Sequence, residues 1–550
     1  MNRTKELPWW KKEVFYQIYP RSFQDASGDG IGDLRGILSR LDYLQSLGIG
    51  AVWLCPVYDS PNADGGYDIR DYEKIMAEFG TMEDFDALLA GLHQRGIRLI
   101  MDLVVNHTSD EHRWFVESRR SKESPYRDYY LWRDGRGGAE PNNWASFFTP
   151  SAWTQDAATG QWYLHLFAEK QPDLNWANPS VREAVYGMIN RWLDKGVDGF
   201  RMDVITLLAK NPALPDGSGA PGPTGYVMAD EHFACQPALH DYLREMRHKC
   251  FDGRDCMCVG EGAFANERTA PPLVRDGSEL DLLFQFDMMD IDSGAGKWDV
   301  QPFRLSRWKA VAEKWQAALD WNTLFLSNHD QPRPVSRFGS TESEALRVRS
   351  AKLLGCMMHL MRGTSFLYQG EELGMTNMPF AAESELRDIE SLELLKTAHS
   401  PQQREQYWQA ILKKGRDNAR TPMQWDAGPN AGFSAGTPWI GVNPNYRTLN
   451  AAAEEKDPDS VLAFYRRLIA LKTQDEVFCR GRFRLLPWGG EQGLAFVRET
   501  ETDCAWVICN ASDMALPLPE EWRGLRVVLG NVEPRRAAEL LPWEVRVCRR

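Results

Sequence analysis

Short apolar runs alternate with amphipathic stretches through most of the chain. Their near-continuous hydrophobicity is typical of strands covered on both faces, as in a parallel sheet. Amphipathic stretches at 82–96 and 181–196 end at Gly96 and Gly196, where helix C-terminal caps are expected. Eight strand–helix units predict a (β/α)8 TIM barrel, with a doubly wound sheet as the lesser alternative. The eight candidate strands are VFYQIYP (14–20), GAVWLCP (50–56), RLIMDLVV (98–105), GFRMDV (199–204), MCVGE (257–261), LLFQFDM (282–288), TLFLSNHD (323–330) and SFLYQG (365–370).

Three segments break this alternation. Residues 107–176 contain many Trp, Tyr, Pro and Asn but no long helical pattern, which predicts a small irregular domain inserted after the third strand. Residues 371–455 are too long for one loop and predict a helical and looped excursion after the eighth strand. Beyond residue 480, apolar and polar positions alternate, which indicates an antiparallel β-sandwich domain. The predicted domains are a barrel (1–106 and 177–479), an inserted domain (107–176) and a C-terminal β domain (480–550).

Composition narrows the classes of protein. With 550 residues, 43% hydrophobic and 26% charged, the chain is predicted to form two or three folded domains. The net charge of −13 argues against nucleic acid or an anionic membrane as a partner. The 21 Trp and 17 Tyr supply flat amphipathic surfaces, which gives weak support for a carbohydrate ligand.

The ten cysteines follow no repeating frame and are predicted to be free thiols in a reducing cytosol. The N-terminal stretch MNRTKELPWWKKEVFYQIYP has no uninterrupted apolar region of the kind found in signal peptides. No apolar run approaches the ~18 residues that a membrane span needs. These features predict a cytoplasmic protein without a membrane partner.

Charged residues follow several of the apolar runs. The carboxyl ends of barrel strands converge on one face, where barrel enzymes have their active sites. A single carboxylate at such a position is usually a solvated turn, but several strands ending in this way favour an active site. The residues concerned are Asp102, Asn106 and His107 on the third run, Arg201 and Asp203 on the fourth, Glu261 on the fifth, and His329 and Asp330 on the seventh.

Carboxylates in this arrangement suit glycoside hydrolysis. Two of them, about 5–5.5 Å apart, serve as nucleophile and general acid in enzymes that retain configuration. Arg201 precedes Asp203 by two residues and faces the same side of the strand, so it is predicted to keep Asp203 ionised with a low pKa. Glu261 follows the apolar stretch MCVG, a setting that suits a general acid. The sequence has no P-loop, no GxGxxG opening a helix, no HExxH and no GxSxG motif.

Several stretches of the sequence resemble motifs of a known family. The stretches DLVVNHTS (102–109), GFRMDV (199–204), VGE (259–261) and FLSNHDQ (325–331) are similar to the four signature stretches of the α-amylase superfamily, glycoside hydrolase family 13. The branch containing the oligo-1,6-glucosidases is indicated by QPDLNW (171–176), YQGEELGM (368–375) and ARTPMQWD (419–426). The motifs occur in the family's order nearly from end to end.

The resemblance implies an exo-acting, retaining α-glucosidase that removes one glucose from a small oligosaccharide. Asp203 would be the nucleophile, Glu261 the acid/base and Asp330 the transition-state stabiliser. The glucose would be held by His107, Arg201 and His329, stacked on Tyr67, enclosed by Asp64 and Arg420, and lined by Phe167 and Gln171. No organic cofactor is implied, and a monomer is expected.

One residue indicates which glycosidic linkage the enzyme prefers. In this branch, valine after the nucleophile accompanies α-1,6 bonds and threonine accompanies α-1,4 bonds; here the residue is Val204. Isomaltose and short isomalto-oligosaccharides are therefore the expected substrates, with sucrose-like or α-1,4 substrates as side activities. The plain alternative is that a β-branched residue suits a strand.

Three related classes of protein are the alternatives to this prediction. Sucrose isomerases carry an arginine-rich RLDRD segment, whereas residues 287–294 read DMMDIDSG, which favours hydrolysis. Trehalose-6-phosphate hydrolases remain an open alternative. The non-catalytic heavy chains of amino-acid transporters have a membrane anchor and degraded catalytic positions, while this sequence keeps all three carboxylates.

The segment DASGDGIGDLRG (25–36) resembles a calcium-binding loop. The EF-hand pattern requires glutamate at its twelfth position, and Gly36 stands there. The resemblance instead implies a structural Ca²⁺ or Mg²⁺ ion held by Asp25, Ser27, Asp29, the carbonyl of Ile31 and Asp33, where relatives more often have asparagine than Ser27. The alternative is a glycine-rich turn whose aspartates cap the next helix.

Overall fold

A computed structural model describes residues 7–222, 224–533 and 535–550. Eight parallel strands form one sheet, in the order sixth, fifth, fourth, third, second, first, eighth and seventh. Thr323 Oγ1 donates to Leu283 O at 3.0 Å, across the junction between the seventh and sixth strands, so that the sheet closes. The predicted barrel is confirmed. Its strands are Val14–Ile18, Ala51–Leu54, Arg98–Leu103, Gly199–Met202, Met257–Glu261, Leu282–Phe284, Asn322–Leu324 and Gly363–Tyr368.

Several predicted strands extend beyond the hydrogen-bonded ladder. The fourth strand ends at Met202 and the seventh at Leu324, so the charged residues after them belong to loops rather than strands. Past the ladder the backbone is free to turn, which lets the side chains of these loops point into one pocket.

Helices surround the sheet and fill the long excursions. Sequence signals mark their ends: Thr81 and Asp84 form a capping box, and Gly196 ends a helix at φ +109°. The α-helices are Trp9–Lys12, Leu34–Ser39, Leu41–Leu47, Met82–Gln94, Arg113–Ser118, Pro179–Lys195, Asp230–Phe233, Ala238–Met246, Ala270–Val274, Leu305–Ala318, Pro334–Phe338, Glu344–His359, Ile389–Lys396, Pro401–Lys414, Asp417–Arg420, Ala451–Glu454, Val461–Gln474 and Glu476–Arg480.

Smaller sheets form outside the barrel. The inserted segment contains a three-stranded antiparallel sheet of Trp132–Arg133, Trp162–Leu164 and Trp153–Gln155. Tyr58–Asp59 pairs with Asp71–Ile75. The C-terminal part is an antiparallel domain, as predicted, with a five-stranded and a two-stranded sheet. Its strands are Arg482–Leu486, Gly493–Glu499, Cys504–Asn510, Leu516–Pro517, Arg526–Gly530, Glu539–Leu540 and Val545–Arg549.

The inserted segment is tied to the barrel where the third strand ends. His107 and Asp173 form an antiparallel bridge, and Leu174 N donates to Asn106 O at 2.9 Å. Trp176 Nε1 donates to Val105 O at 2.7 Å. The entry and exit of the insertion are thereby held together beside the carboxyl ends of the strands.

All ten cysteines are free thiols, as predicted, and Cys55, Cys258 and Cys356 are among those buried in the interior. Within the described part of the chain, no helix is both long enough and apolar enough to cross a membrane. Residues 1–6 of the N-terminal stretch lie outside the described residues.

Arg498 joins the C-terminal sheet to the barrel. Its guanidinium is fully buried and donates to carbonyl oxygens of Leu360, Met361, Phe478 and Gly481 at 2.7–3.2 Å. Burial lowers the pKa of Arg498 to about 9, so the side chain keeps its charge at neutral pH. One side chain therefore satisfies carbonyl groups of two domains.

We expect Arg498→Met to lower the free energy of unfolding by about 3 kcal/mol or more, because buried carbonyls lose their donors. Differential scanning calorimetry measures the change. Arg526→Met, at an exposed position of the same sheet, is the matched control and is expected to have little effect. Equal melting temperatures for the two variants would contradict the interpretation.

Candidate active site

A cavity of about 530 Å³ opens at the carboxyl ends of the barrel strands. Strands, barrel loops and the inserted segment all contribute to its wall. Among the residues predicted from the sequence, those lining it are Asp64, Tyr67, His107, Phe167, Asp203, Val204, Glu261 and Asp330. The others lie directly behind the wall, each in contact with a lining carboxylate: Gln171 at Asp64, Arg201 at Asp203, and His329 and Arg420 at Asp330.

Arg201 is the cation around which the carboxylates gather. Its Nη1 donates to Asp102 Oδ1 at 2.7 Å and to Asp203 Oδ1 at 2.8 Å, and its Nη2 lies 2.7 Å from Glu261 Oε2. Asp102 and Arg201 are neighbours in the pairing of the third and fourth strands, which fixes this contact. The second oxygen of Asp102 accepts a hydrogen bond from Tyr67 at 2.8 Å. Three carboxylates thus share one guanidinium that is 1% exposed.

Burial raises the pKa of Asp203 well above its usual value. The charge of Arg201 acts in the opposite direction but does not compensate, because the neighbouring carboxylates of Glu261 and Asp102 raise the pKa of Asp203 further. The prediction that Arg201 keeps the pKa of Asp203 low is therefore wrong. The site retains a proton among its carboxylates to a higher pH than an exposed aspartate would.

Val204 follows the predicted nucleophile in an unusual backbone conformation. Its φ is +36° and its ψ +41°, a region that β-branched residues rarely adopt. In this turn, Val204 N donates to Glu261 Oε2 at 2.9 Å. The alternative that a β-branched residue at this position suits a strand does not hold, because the strand ends at Met202. Such strain is found where a turn must hold functional groups in place.

A second group of charges surrounds Asp330. Arg420 Nη2 donates to Asp330 Oδ1 at 2.8 Å, and Arg416 Nη1 lies 3.3 Å from the same oxygen. Burial alone would raise the pKa of Asp330, but His329, Arg416 and Arg420 lower it well below its usual range. Burial also lowers the pKa of His329 to about 3, so this ring is neutral near pH 7. Near pH 7 the two guanidinium groups of Arg416 and Arg420 therefore keep Asp330 ionised.

Several lining residues were not predicted. Arg416 donates to Asp64 Oδ1 at 2.9 Å as well as to Asp330, and the only sequence signal for it is its position shortly before the ARTPMQWD motif. Phe264 is 39% exposed at the cavity with φ +58°. Lys297 and Glu390 form an ion pair at 2.5 Å across the cavity wall. Lys297 lies in a loop and Glu390 in the first turn of helix Ile389–Lys396, far apart in sequence, and nothing in their local pattern marks them.

The predicted metal ligands lie together, but not at this cavity. They occupy the loop between the first strand and helix Leu34–Ser39, and Asp33 caps that helix by accepting from Gly36 N at 2.6 Å. The loop is also fastened to a distant segment, because Ser434 Oγ donates to Asp25 Oδ2 at 2.6 Å. The five residues are Asp25, Ser27, Asp29, Ile31 and Asp33.

Backbone N–H groups bind the carboxylates of this loop. Asp25 accepts from Gly28 and Gly30 at 2.7 and 2.8 Å, Asp33 accepts two backbone groups at 3.0 Å, and Asp29 accepts one at 2.8 Å. These contacts favour the turn-and-cap alternative. The donor atoms are oxygens, as Ca²⁺ prefers, but no three His, Cys, Asp or Glu side chains of the described residues are placed to hold a metal ion. The ion stays a prediction.

Comparison with known proteins identifies relatives. Residues 17–481 match the family described as "Alpha amylase, catalytic domain". The chain is 49% identical to an oligo-1,6-glucosidase of Parageobacillus thermoglucosidasius, covering 98% of this chain and 99% of that protein. It is 44% identical to a trehalose-6-phosphate hydrolase of Bacillus subtilis (strain 168), covering 98% of both. The crystal structure of the trehalulose synthase MutB from Pseudomonas mesoacidophila MX-45 superposes with a TM-score of 0.93 at 42% identity, covering 99% of this chain and all of that one.

The charges around Arg416 predict a pH-dependent contribution to stability. Asp330 and Asp388 both contact Arg416, and the pKa of each is lowered despite burial. A carboxyl whose pKa falls on folding stabilises the protein above its unfolded pKa of about 4, and this contribution is lost as the pH falls towards the folded value. Arg416→Gln is therefore expected to cost about 3–5 kcal/mol at pH 7 and less at pH 4.

Melting temperatures at both pH values measure the effect. Arg333→Gln is the matched control, because Arg333 is equally buried but donates to carbonyl oxygens of Gln369, Asn418 and Ala419. Its cost is expected to differ little between the two pH values. A pH-independent loss in Arg416→Gln would contradict the assignment.

Proposed function

The chain belongs to the α-amylase catalytic-domain family, and from this membership we propose that it is an exo-acting, retaining α-glucosidase. It hydrolyses the non-reducing-end glucose of short α-glucosides, with preference for α-1,6 bonds as in isomaltose. The observation that carries the proposal is the placement of Asp203 and Glu261 at one cavity, both bound to Arg201, with Asp330 on the same wall. The similarity to oligo-1,6-glucosidases over nearly the whole chain supports the same activity.

The reaction is a double displacement. The proton that the carboxylates retain resides on Glu261 in the reactive state, which leaves Asp203 ionised. Asp203 attacks the anomeric carbon while Glu261 gives this proton to the leaving oxygen, which forms a β-linked glucosyl-enzyme. Glu261 then takes a proton from water, which displaces Asp203 and releases α-glucose. The hydrogen bond from Val204 N to Glu261 Oε2 holds the acid/base carboxyl next to the turn that follows the nucleophile, Asp203.

Asp330 holds its charge through both steps. Its pKa is lowered by the surrounding basic side chains, so it stays ionised over the working pH range and stabilises positive charge that develops on the sugar ring. Asp64, held by Arg416 and Gln171, supplies acceptors for the hydroxyl groups at the closed side of the pocket.

The remaining lining residues favour an uncharged acceptor sugar. Asp287, Asp290 and Glu390 line the cavity together with Lys297, which is already paired with Glu390. Over the whole cavity lining, carboxylates outnumber the basic groups of Lys297 and Arg416, which disfavours a phosphate group and argues against trehalose 6-phosphate as the substrate. Val204 supports α-1,6 linkages through the resemblance noted above. A monomeric, cytoplasmic enzyme is part of the proposal.

An assay of isomaltose, maltose, sucrose and trehalose 6-phosphate tests this function. We expect the highest kcat/KM for isomaltose and no measurable cleavage of trehalose 6-phosphate. Asp203→Asn is expected to lower kcat by about 10⁴-fold or more without lowering the melting temperature, because it removes the nucleophile and relieves crowding of carboxylates. Faster hydrolysis of trehalose 6-phosphate than of isomaltose would refute the substrate, and near-normal turnover by Asp203→Asn would refute the nucleophile.

We also propose that the 25–36 loop binds a structural Ca²⁺ or Mg²⁺ ion, supported by its all-oxygen donor set. Bound ion stabilises the folded state by mass action, so added calcium should raise the melting temperature relative to a chelated sample. Asp29 is exposed, and Asp29→Asn should abolish the increase without changing the chelated protein. Identical melting curves with calcium and with chelator would refute the ion site and show that the loop acts only as a turn and helix cap.

A further inference from the structure

Lys210 is a buried lysine that the reaction does not use. It lies in the loop after the fourth strand, and its side chain is 4% exposed. Its Nζ is 2.6 Å from Asp173 Oδ2 and donates to Asn106 Oδ1 at 2.7 Å. An ammonium group has three donors and no acceptor, so the atom of Asn106 that faces Lys210 is the carbonyl oxygen.

The amide of Asn106 is therefore held in one orientation. Its Nδ2 donates to Asp173 Oδ2 at 3.1 Å, and an ionised carboxylate only accepts hydrogen bonds. A reversed amide would place its oxygen against Asp173 and its N–H groups against Lys210. Asn106 and Asp173 are both fully buried, so water does not relieve either clash.

This orientation determines the hydrogen position on His107. Asn106 Nδ2 lies 3.2 Å from His107 Nδ1, and because the amide nitrogen donates, Nδ1 has to accept. The ring hydrogen is then on Nε2, which faces the carbonyl oxygen of Tyr67 at 3.0 Å. Gln171 Nε2 is also near, at 3.2 Å, but its two N–H groups have their own acceptors in Asp64 Oδ2 at 3.1 Å and Tyr67 O at 3.3 Å.

Burial lowers the pKa of His107, so the ring carries one N–H rather than two at neutral pH. A neutral histidine has two tautomers that differ in which nitrogen donates. Only the Nε2–H form places a donor among the cavity residues Tyr67 and Asp64 and leaves Nδ1 to accept from Asn106.

We propose that Lys210 is a positioning residue that acts through Asn106 to fix His107 as its Nε2–H tautomer, so that the single ring N–H, which Tyr67 O accepts, lies on the side of the sugar pocket and is shared with a ligand there. The identity of the ligand as a glucose hydroxyl rests on the proposed function; the tautomer does not. The competing role is anchoring alone, because Asn106 and Asp173 also join the inserted segment to the barrel.

Nitrogen-15 NMR of the full chain, labelled at histidine, reads the tautomer directly, and His107→Gln assigns the signals. The wild type is expected to show an unprotonated Nδ1 and a protonated Nε2. Asn106→Asp keeps the side-chain volume but replaces the donor with an acceptor, which should move the hydrogen to Nδ1. Lys210→Met should give a mixture of tautomers, because the amide is no longer held.

Two results would overturn the proposal: a protonated Nδ1 in the wild type, or the wild-type tautomer persisting in both variants. The NMR measurement requires no turnover, so it remains decisive if isomaltose proves not to be the substrate.

Kinetics separates positioning from anchoring. Trp176→Phe is the matched control, because it removes a 2.7 Å hydrogen bond to Val105 O at the same junction without touching His107. Lys210→Met is expected to lower kcat/KM for isomaltose about tenfold, the value of one hydrogen bond, while Trp176→Phe stays within about twofold of the wild type. Equal losses in two variants of similar melting temperature would show that anchoring alone explains Lys210.

Discussion

The reacting end of the barrel depends on the shared ion pairing of Arg201. Asp102, Asp203 and Glu261 come from the ends of three adjacent strands, and each lies within 2.8 Å of this one guanidinium. Buried carboxylates are costly without a cation, and a buried cation is costly without carboxylates. The strand ends are therefore held together by the same charges that we propose for the chemistry, and the excess of carboxylates over cations retains the proton that the proposed acid step uses.

Other charges in the pocket are balanced in the same manner, by partners from outside the barrel strands. Arg416 and Arg420 come from the excursion after the eighth strand and keep Asp330 ionised. Lys210 and Asp173 orient the amide beside His107. Different local environments within one cavity therefore produce an ionised carboxylate, a shared proton and a neutral histidine.

Backbone strain is present at two residues that line the cavity. Val204, immediately after Asp203, has a φ of +36°, and Phe264, three residues after Glu261, has a φ of +58°. Non-glycine residues adopt this region only at a cost of about 1–3 kcal/mol, which the surrounding packing has to offset. At Val204 the result is visible, since its N–H is aimed at Glu261.

The sequence by itself determined the eight-stranded barrel, the antiparallel C-terminal domain and the carboxylates at the strand ends, because periodicity and strand-end position are local properties of the chain. It did not identify Arg416, Lys297, Glu390 or Phe264, whose places at the cavity depend on segments that are far apart in sequence. It also misjudged the pKa of Asp203, since the pattern showed one neighbouring arginine but not the two other carboxylates that share it. Only the tertiary structure decides how many carboxylates pair with one guanidinium and which way a buried amide points. Both depend on contacts between segments that are separated by tens to hundreds of residues.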